Sequence, residues 1–149
     1  MIGYILIGVA AGMSLFGFGI LAMIVLIGAI VQTGAARKAS SADHRTLIHA
    51  QYVRRVAITA LCAHLAITVF LVTEMVLAIN SGEAGGIVQA FVAHYLIDHV
   101  SEFVIGAWTA YRAIKGGLHF GEQKAPCGSA LTLPHAPGVP APVTEASPE

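Results

Sequence analysis

Three stretches of this chain, from Ile2 to Val31, Val56 to Ile79 and Ile87 to Tyr111, are apolar over at least a bilayer's thickness, and the first holds no charged residue at all. A hydrocarbon core of about 30 Å takes about 20 helical residues, so each stretch is long enough to cross one. With 56% hydrophobic and only 11% charged residues, the chain is far from the roughly one-quarter charged composition of soluble domains. The expected fold is all-α and integral to a membrane, with three transmembrane helices.

The boundaries follow from the polar breaks. Residues 1–33 form the first helix, about 45 Å long and therefore long or tilted in the bilayer. No Lys or Arg precedes Arg37, so the positive n-region of a secretory signal is missing and the segment reads as a retained anchor. Gly8-Val-Ala-Ala-Gly12 has the small-residue spacing that lets membrane helices approach closely, and Gly17 and Gly19 continue that surface. Residues 34–43 are a polar loop, and Ser40-Ser-Ala-Asp43 fits a capping box for a helix starting near residue 41. Residues 44–80 combine interfacial turns, where His44, Arg45, His49, Gln51, Arg54 and Arg55 face the headgroups as solvated residues, with the second span from Val56.

The outer turn, residues 81–86, is rich in helix breakers and makes an antiparallel hairpin of the second and third spans. Residues 87–115 carry the third span, with Trp108 and Tyr111 as interfacial anchors and Gly116 and Gly117 as C-cap residues. All six prolines fall in residues 116–149, a tail expected to be extended and disordered by itself. The eight Lys and Arg residues lie either before the second span or after the third. Three spans bring those two places to one side, which the positive-inside rule makes cytoplasmic, with the N-terminus outside.

Within the third stretch, His94-Tyr-Leu-Ile-Asp98-His99-Val-Ser-Glu102 places four ionisable side chains in an otherwise apolar setting. At 100° per residue Ser101, His94, Asp98, Glu102, Tyr95 and His99 fill one arc of roughly 160°. Counted inward from the outer ends of the spans, Glu74 and His94 lie at similar depth and are placed to pair. His64 lies near the level of Glu102, with Asp98 and His99 about a turn shallower and Met13 and Ser14 comparably deep. A charge at the bilayer centre costs about 2.5–3.5 kcal/mol on insertion scales unless it is paired, neutralised or wetted. Such a concentration has three explanations: polar glue that fixes helix register or docks a partner, a cation or proton route, or a redox cofactor.

For a route, Glu74, His94, Asp98 and Glu102 are the stepped candidates, because carboxylates and imidazoles exchange protons and histidine titrates in the useful range. For a divalent transition metal, the candidates are His64, His94, Asp98, His99 and Glu102. His94-x-x-x-Asp98 resembles the HxxxD metal motif of cation diffusion facilitators, which implies Zn²⁺ or a related ion with His94 and Asp98 as ligands. The likeness covers the third stretch alone; a second HxxxD helix, six spans and a soluble C-terminal domain are absent. For redox chemistry, His64 with His99 or His94 gives the candidate axial ligands of a haem b, in the general layout of the three-helix haem anchors of respiratory dehydrogenases, and His64, His94, Asp98, His99 and Glu102 are the candidates for a non-haem iron or copper redox site. Ala60, Ala63, Ala66 and Gly106 supply small surfaces beside the haem.

Other chemistry is poorly served. There is no nucleophile elbow to support a hydrolase, no CxxC pair in Cys62 and Cys127, and no basic aromatic stripe for nucleic acid. His119, Cys127 and His135 are too widely spaced through the tail to suggest a metal site. Because three helices hardly enclose a wide polar face, a homo-oligomer or a place among other membrane subunits is expected. The chain reads as a small subunit without catalytic activity of its own, in a bacterial inner membrane or an equivalent energy-transducing membrane.

Overall fold

The computed structural model describes residues 1–38, 44–82, 84–122, 124 and 126, and its regular elements are four α-helices. They are α1 (Ile2–Leu15), α2 (Gly19–Lys38), α3 (His44–Ser81) and α4 (Ala84–Gly121). The capping box at residues 40–43 and most of the Pro-rich tail lie outside the described residues.

The first apolar stretch, expected as one long helix, is two. The chain leaves α1 at Phe16, turns through Gly17 at φ +79° and starts α2 at Gly19. Gly17 N–H donates to the Ser14 carbonyl at 3.0 Å and Phe18 N–H to the Met13 carbonyl at 2.9 Å. This paired closure, with a left-handed glycine just past the helix end, is a Schellman motif. Hydropathy does not register the turn, because Phe-Gly-Phe is as apolar as the helices it joins.

The reversal sends α2 back along α1. A Cβ on Gly3 would lie 3.0 Å from Val53 Cγ1 and 3.4 Å from Thr33 Cγ2, placing the start of α1 beside the end of α2 and the start of α3. Around the bundle α1 packs on α2 and α4, and α3 on α2 and α4, while α1 and α3 touch little across the diagonal. The N-terminus therefore shares one end of the bundle with the start of α3 and the end of α4, because the extra reversal turns the expected opposite placement around.

Small residues make this packing close. Ala10, Ala22, Ala29, Ala57 and Ala60 are buried around Ile7 and Leu26. A Cβ on Gly106 would meet the Ala11 carbonyl oxygen and the Leu15 side chain at 3.0 Å, and one on Gly116 would run into the rings of Tyr4 and Tyr52. Gly8 and Gly12 differ from expectation, since nothing lies within 4 Å of a Cβ at either. The close approaches within the chain are on α4 instead. Helix α4 also continues through Gly116 and Gly117 rather than ending there. The tyrosine rings pack where a side chain would otherwise stand.

Helices α3 and α4 have 38 residues each, against 14 in α1 and 20 in α2. At 1.5 Å per residue this is about 57 Å against about 21 and 30 Å. The α3–α4 hairpin consequently projects beyond the α1–α2 tip, and no residue from Val72 to Ser81 or from Gly85 to Ser101 is buried. Among the described helices α3 is the one both long and apolar enough to cross a membrane. Helix α4 equals it in length but interrupts its apolar surface with the His94–Glu102 cluster.

A β-branched residue in the left-handed region costs on the order of 1–3 kcal/mol. Gly17→Val is therefore expected to lower the thermal midpoint in mild detergent, whereas Gly8→Ala leaves it unchanged or slightly higher. Circular-dichroism melts compare the two, and equal midpoints would argue against a strained reversal at Gly17.

Candidate functional site

The α1–α2 tip ends against the polar stretch of α4. A Cβ on Gly17 would lie 3.7 Å from His99 Nε2, and one on Gly19 would fall on the Glu102 carboxylate. At the start of α2, Ala22 N–H reaches back to the Phe18 carbonyl at 2.9 Å, so the preceding N–H groups lack partners within the helix. The Gly19 N–H donates to the Glu102 carboxylate. A carboxylate is well suited to that end, where the helix dipole concentrates partial positive charge. Glycine leaves room for this approach: a side chain at residue 19 would displace the acid from the helix end.

Beside this contact is a half-open cavity of about 380 Å³. His64 from α3 and His94, Asp98 and Glu102 from α4 form its polar wall. Phe18, Ile20, Ile67, Leu71 and Val72 are among its apolar lining. His64, 4% exposed, shares a 3.0 Å hydrogen bond between its Nε2 and Ser14 Oγ. Glu102 is 8% exposed. Its Oε2 and His94 Nδ1 are buried atoms without a hydrogen-bond partner. Two polar atoms of residues that line the cavity thus remain uncommitted, and burial without a partner is costly.

Four of the six candidates named from sequence, His64, His94, Asp98 and Glu102, line this one cavity. The other two do not. His99 is exposed, with Nδ1 3.1 Å from the Tyr95 carbonyl and its ring 4.1 Å from that of Tyr95. Glu74 is exposed on the projecting part of α3 and leaves His94 Nδ1 unpaired. No group of three or more His, Cys, Asp or Glu side chains among the described residues is arranged to hold a metal ion. The haem pairing is also poorly served. His64 lines the cavity and His99 is not among its lining residues, Ala60 is buried in the core, and the space beside Gly106 is filled by α1.

A second polar assembly closes the opposite end of the bundle. His49, expected to be solvated, is 3% exposed. Its Nδ1 lies 2.6 Å from Tyr4 Oη and its Nε2 3.0 Å from the Lys124 carbonyl oxygen. Because a carbonyl only accepts, Nε2 carries the proton and Nδ1 accepts from the tyrosine. Phe120 packs edge-on to His49 with ring centroids 4.9 Å apart, and the Arg45 guanidinium lies 4.8 Å from the Phe120 centroid while donating to the Phe120 carbonyl. Beyond α4, the Lys124 ammonium 3.0 Å from Glu122 holds that carboxyl below the usual carboxylate range. Nothing local marks His49 for burial, because its partners are 45 residues before it and 75 after it.

No protein-family model, curated protein or solved structure matches the chain.

Removing one partner of a buried hydrogen bond costs about 1–3 kcal/mol when the other is left unsatisfied. Ser14→Ala and Tyr4→Phe are each expected to lower unfolding free energy by that order. Denaturant titration in detergent measures both, and an unchanged Ser14→Ala midpoint would mean that His64 has another partner.

Proposed function

We propose that this chain is a small polytopic membrane protein whose polar wall forms the mid-membrane station of a proton or cation route. The observation that carries this reading is the cavity itself. His94 Nδ1 and Glu102 Oε2 lack partners where His64, Asp98 and both of these residues line one half-open space. Polar glue within one chain saturates its own groups, whereas in this wall His64 and one side of Glu102 are bonded to other helices and His94 Nδ1 and Glu102 Oε2 are left over.

The surface supports a membrane setting. Val69, Phe70, Val88, Phe91, Val100 and Phe103 are all more than half exposed, a large apolar surface that calls for lipid or partner contact. Only 28% of the most apolar window of α3 is buried, unlike the core helix of a soluble bundle. In this arrangement α3 and α4 cross the bilayer, and α1–α2 is a hairpin entering part-way from the basic side. Glu102 is ten residues from Arg112 along α4, or about 15 Å, which places the hairpin tip near mid-bilayer. A helix break at such depth is tolerated when protein or a water-filled cavity satisfies its backbone, as the Schellman motif and Glu102 do here. The positive-inside rule then makes the shared end of α1, α2 and α4 cytoplasmic.

A second reading, a polar face closed by another subunit or a second copy, is favoured by His99. It is exposed beside the cluster, where lipid is a poor neighbour for an imidazole.

Proteoliposomes enclosing a pH-sensitive dye, under a valinomycin-imposed potassium potential, test the route. Wild type is expected to acidify or alkalinise the lumen above the protein-free rate, and Glu102→Gln to slow this by about tenfold or more, as loss of a positioned proton carrier does. Wild type matching protein-free vesicles with protons, sodium and potassium alike would overturn the proposal.

A further inference from the structure

The cavity is far larger than an inorganic ion needs. Its roughly 380 Å³ falls in the range of about 300–1,000 Å³ typical of small-molecule sites. Its chemistry divides between an acidic, imidazole-bearing wall and an apolar remainder. Asp98 and Glu102 bring two carboxylates, and no Lys or Arg is among the lining residues. A hard metal cation prefers about six or more oxygen ligands. Here the side-chain oxygens are those two carboxylates and the Thr68 hydroxyl, which already donates to the His64 carbonyl at 2.9 Å. Glu102 adds an independent indication of a ligand: it is 8% exposed, lines the cavity, and keeps Oε2 without a partner.

We infer that this cavity binds an organic cation, an amphiphilic ammonium whose charge rests on the Glu102 carboxylate and whose carbon skeleton lies against Ile67, Leu71 and Val72. The inference rests on the cation-route reading of the same wall and names the class of cation. Phe18, also in the lining, offers an aromatic surface of the type that attracts quaternary ammonium groups. The half-open side admits the ligand from the surrounding apolar phase.

One carboxylate serves two cationic competitors. A protonated Glu102 that accepts the ammonium releases one proton to water, so cation binding and proton binding exclude each other at this oxygen. The titratable groups around Glu102 are Asp98 and His99 of α4, His94 of α4 in the same wall, and His64 of α3 across the cavity. From α1 comes the Ser14 hydroxyl on His64, and from α2 the Gly19 N–H.

Benzyltrimethylammonium is a suitable probe because its permanent charge carries no proton of its own. Isothermal titration calorimetry of the full chain in mild detergent, repeated in buffers of different ionisation enthalpy, reads both binding and proton release. Saturable binding is expected, with proton release at pH values where Glu102 is protonated and none where it is already ionised. Glu102→Gln should weaken it by at least about tenfold, the scale of a lost charge-assisted contact. Val72→Trp, at a half-exposed lining position, should also weaken it while retaining the carboxylate, with circular dichroism checking both folds. Absence of saturable binding, equal binding by both variants, or equally tight binding of the neutral isostere neopentylbenzene would overturn the inference. The route is judged separately. Wild-type proton flux lost in Glu102→Gln, but without cation binding, keeps the route and removes the organic-cation site; binding without flux does the reverse.

Discussion

A helix that stops inside an apolar bundle exposes backbone groups that nothing apolar can satisfy, and the organisation of this protein depends on how that is resolved between Leu15 and Gly19. The carbonyl end of α1 is closed by the Gly17 and Phe18 N–H groups folding back onto Ser14 and Met13. The amide end of α2 is met by a carboxylate from another helix, Glu102. The first solution is local and needs only a glycine able to adopt φ +79°. The second is tertiary, and it fixes where α4 must lie relative to the hairpin. Burial of an acid within the bundle is thereby tied to the need of a helix terminus for a negative partner.

The rest of the packing supports that meeting. Gly106 lets α1 approach α4 about one turn from Glu102, and Gly116 does so three turns further along, against Tyr4 and Tyr52. At that far end His49 bridges the Tyr4 hydroxyl and the Lys124 carbonyl, so α1, α3 and the chain leaving α4 are held by one imidazole. The bundle is therefore anchored by polar contacts at both ends of α1, with small apolar residues between. Beyond the tip, α3 and α4 lose their flanking helices and bury nothing more. The cavity lies where four-helix packing gives way to two.

Counting helical rise from the outer turn was enough to bring His64, Asp98 and Glu102 to neighbouring levels, because α3 and α4 are continuous and their connection is short; Ser14 was counted from the wrong end, since the N-terminus lies with the start of α3, and meets His64 because its depth is about the same from either end. The same count placed Glu74 beside His94, yet rotation about α3 leaves Glu74 exposed. Depth is legible in spacing, whereas rotation is set by packing. The reversal at Gly17 was hidden for another reason. Its flanking phenylalanines preserve the hydropathy of the stretch, and its helix-ending character rests on a single glycine in a chain holding 16. His49 was read as solvated because its neighbours Arg45, Arg54 and Arg55 are interfacial in character. Its burial depends on Tyr4 and Phe120, whose proximity follows from the hidden reversal.

The break in the first apolar stretch and the polar cluster in the third are thus two halves of one feature. A continuous first helix would offer Glu102 no free N–H groups, and an apolar residue at position 102 would leave the start of α2 without its partner. Once Glu102 has answered that need with one side of its carboxylate, Oε2 remains as the uncommitted atom. A charge at a helix N-terminus contributes about 0.3–1 kcal/mol, and neutralising the carboxylate forfeits that contribution. Proton loading at Glu102 therefore weakens the cap of α2, whereas an ammonium in the cavity favours the ionised carboxylate and leaves the cap intact. The tip of the α1–α2 hairpin is in this way electrostatically coupled to whatever occupies the cavity beside it.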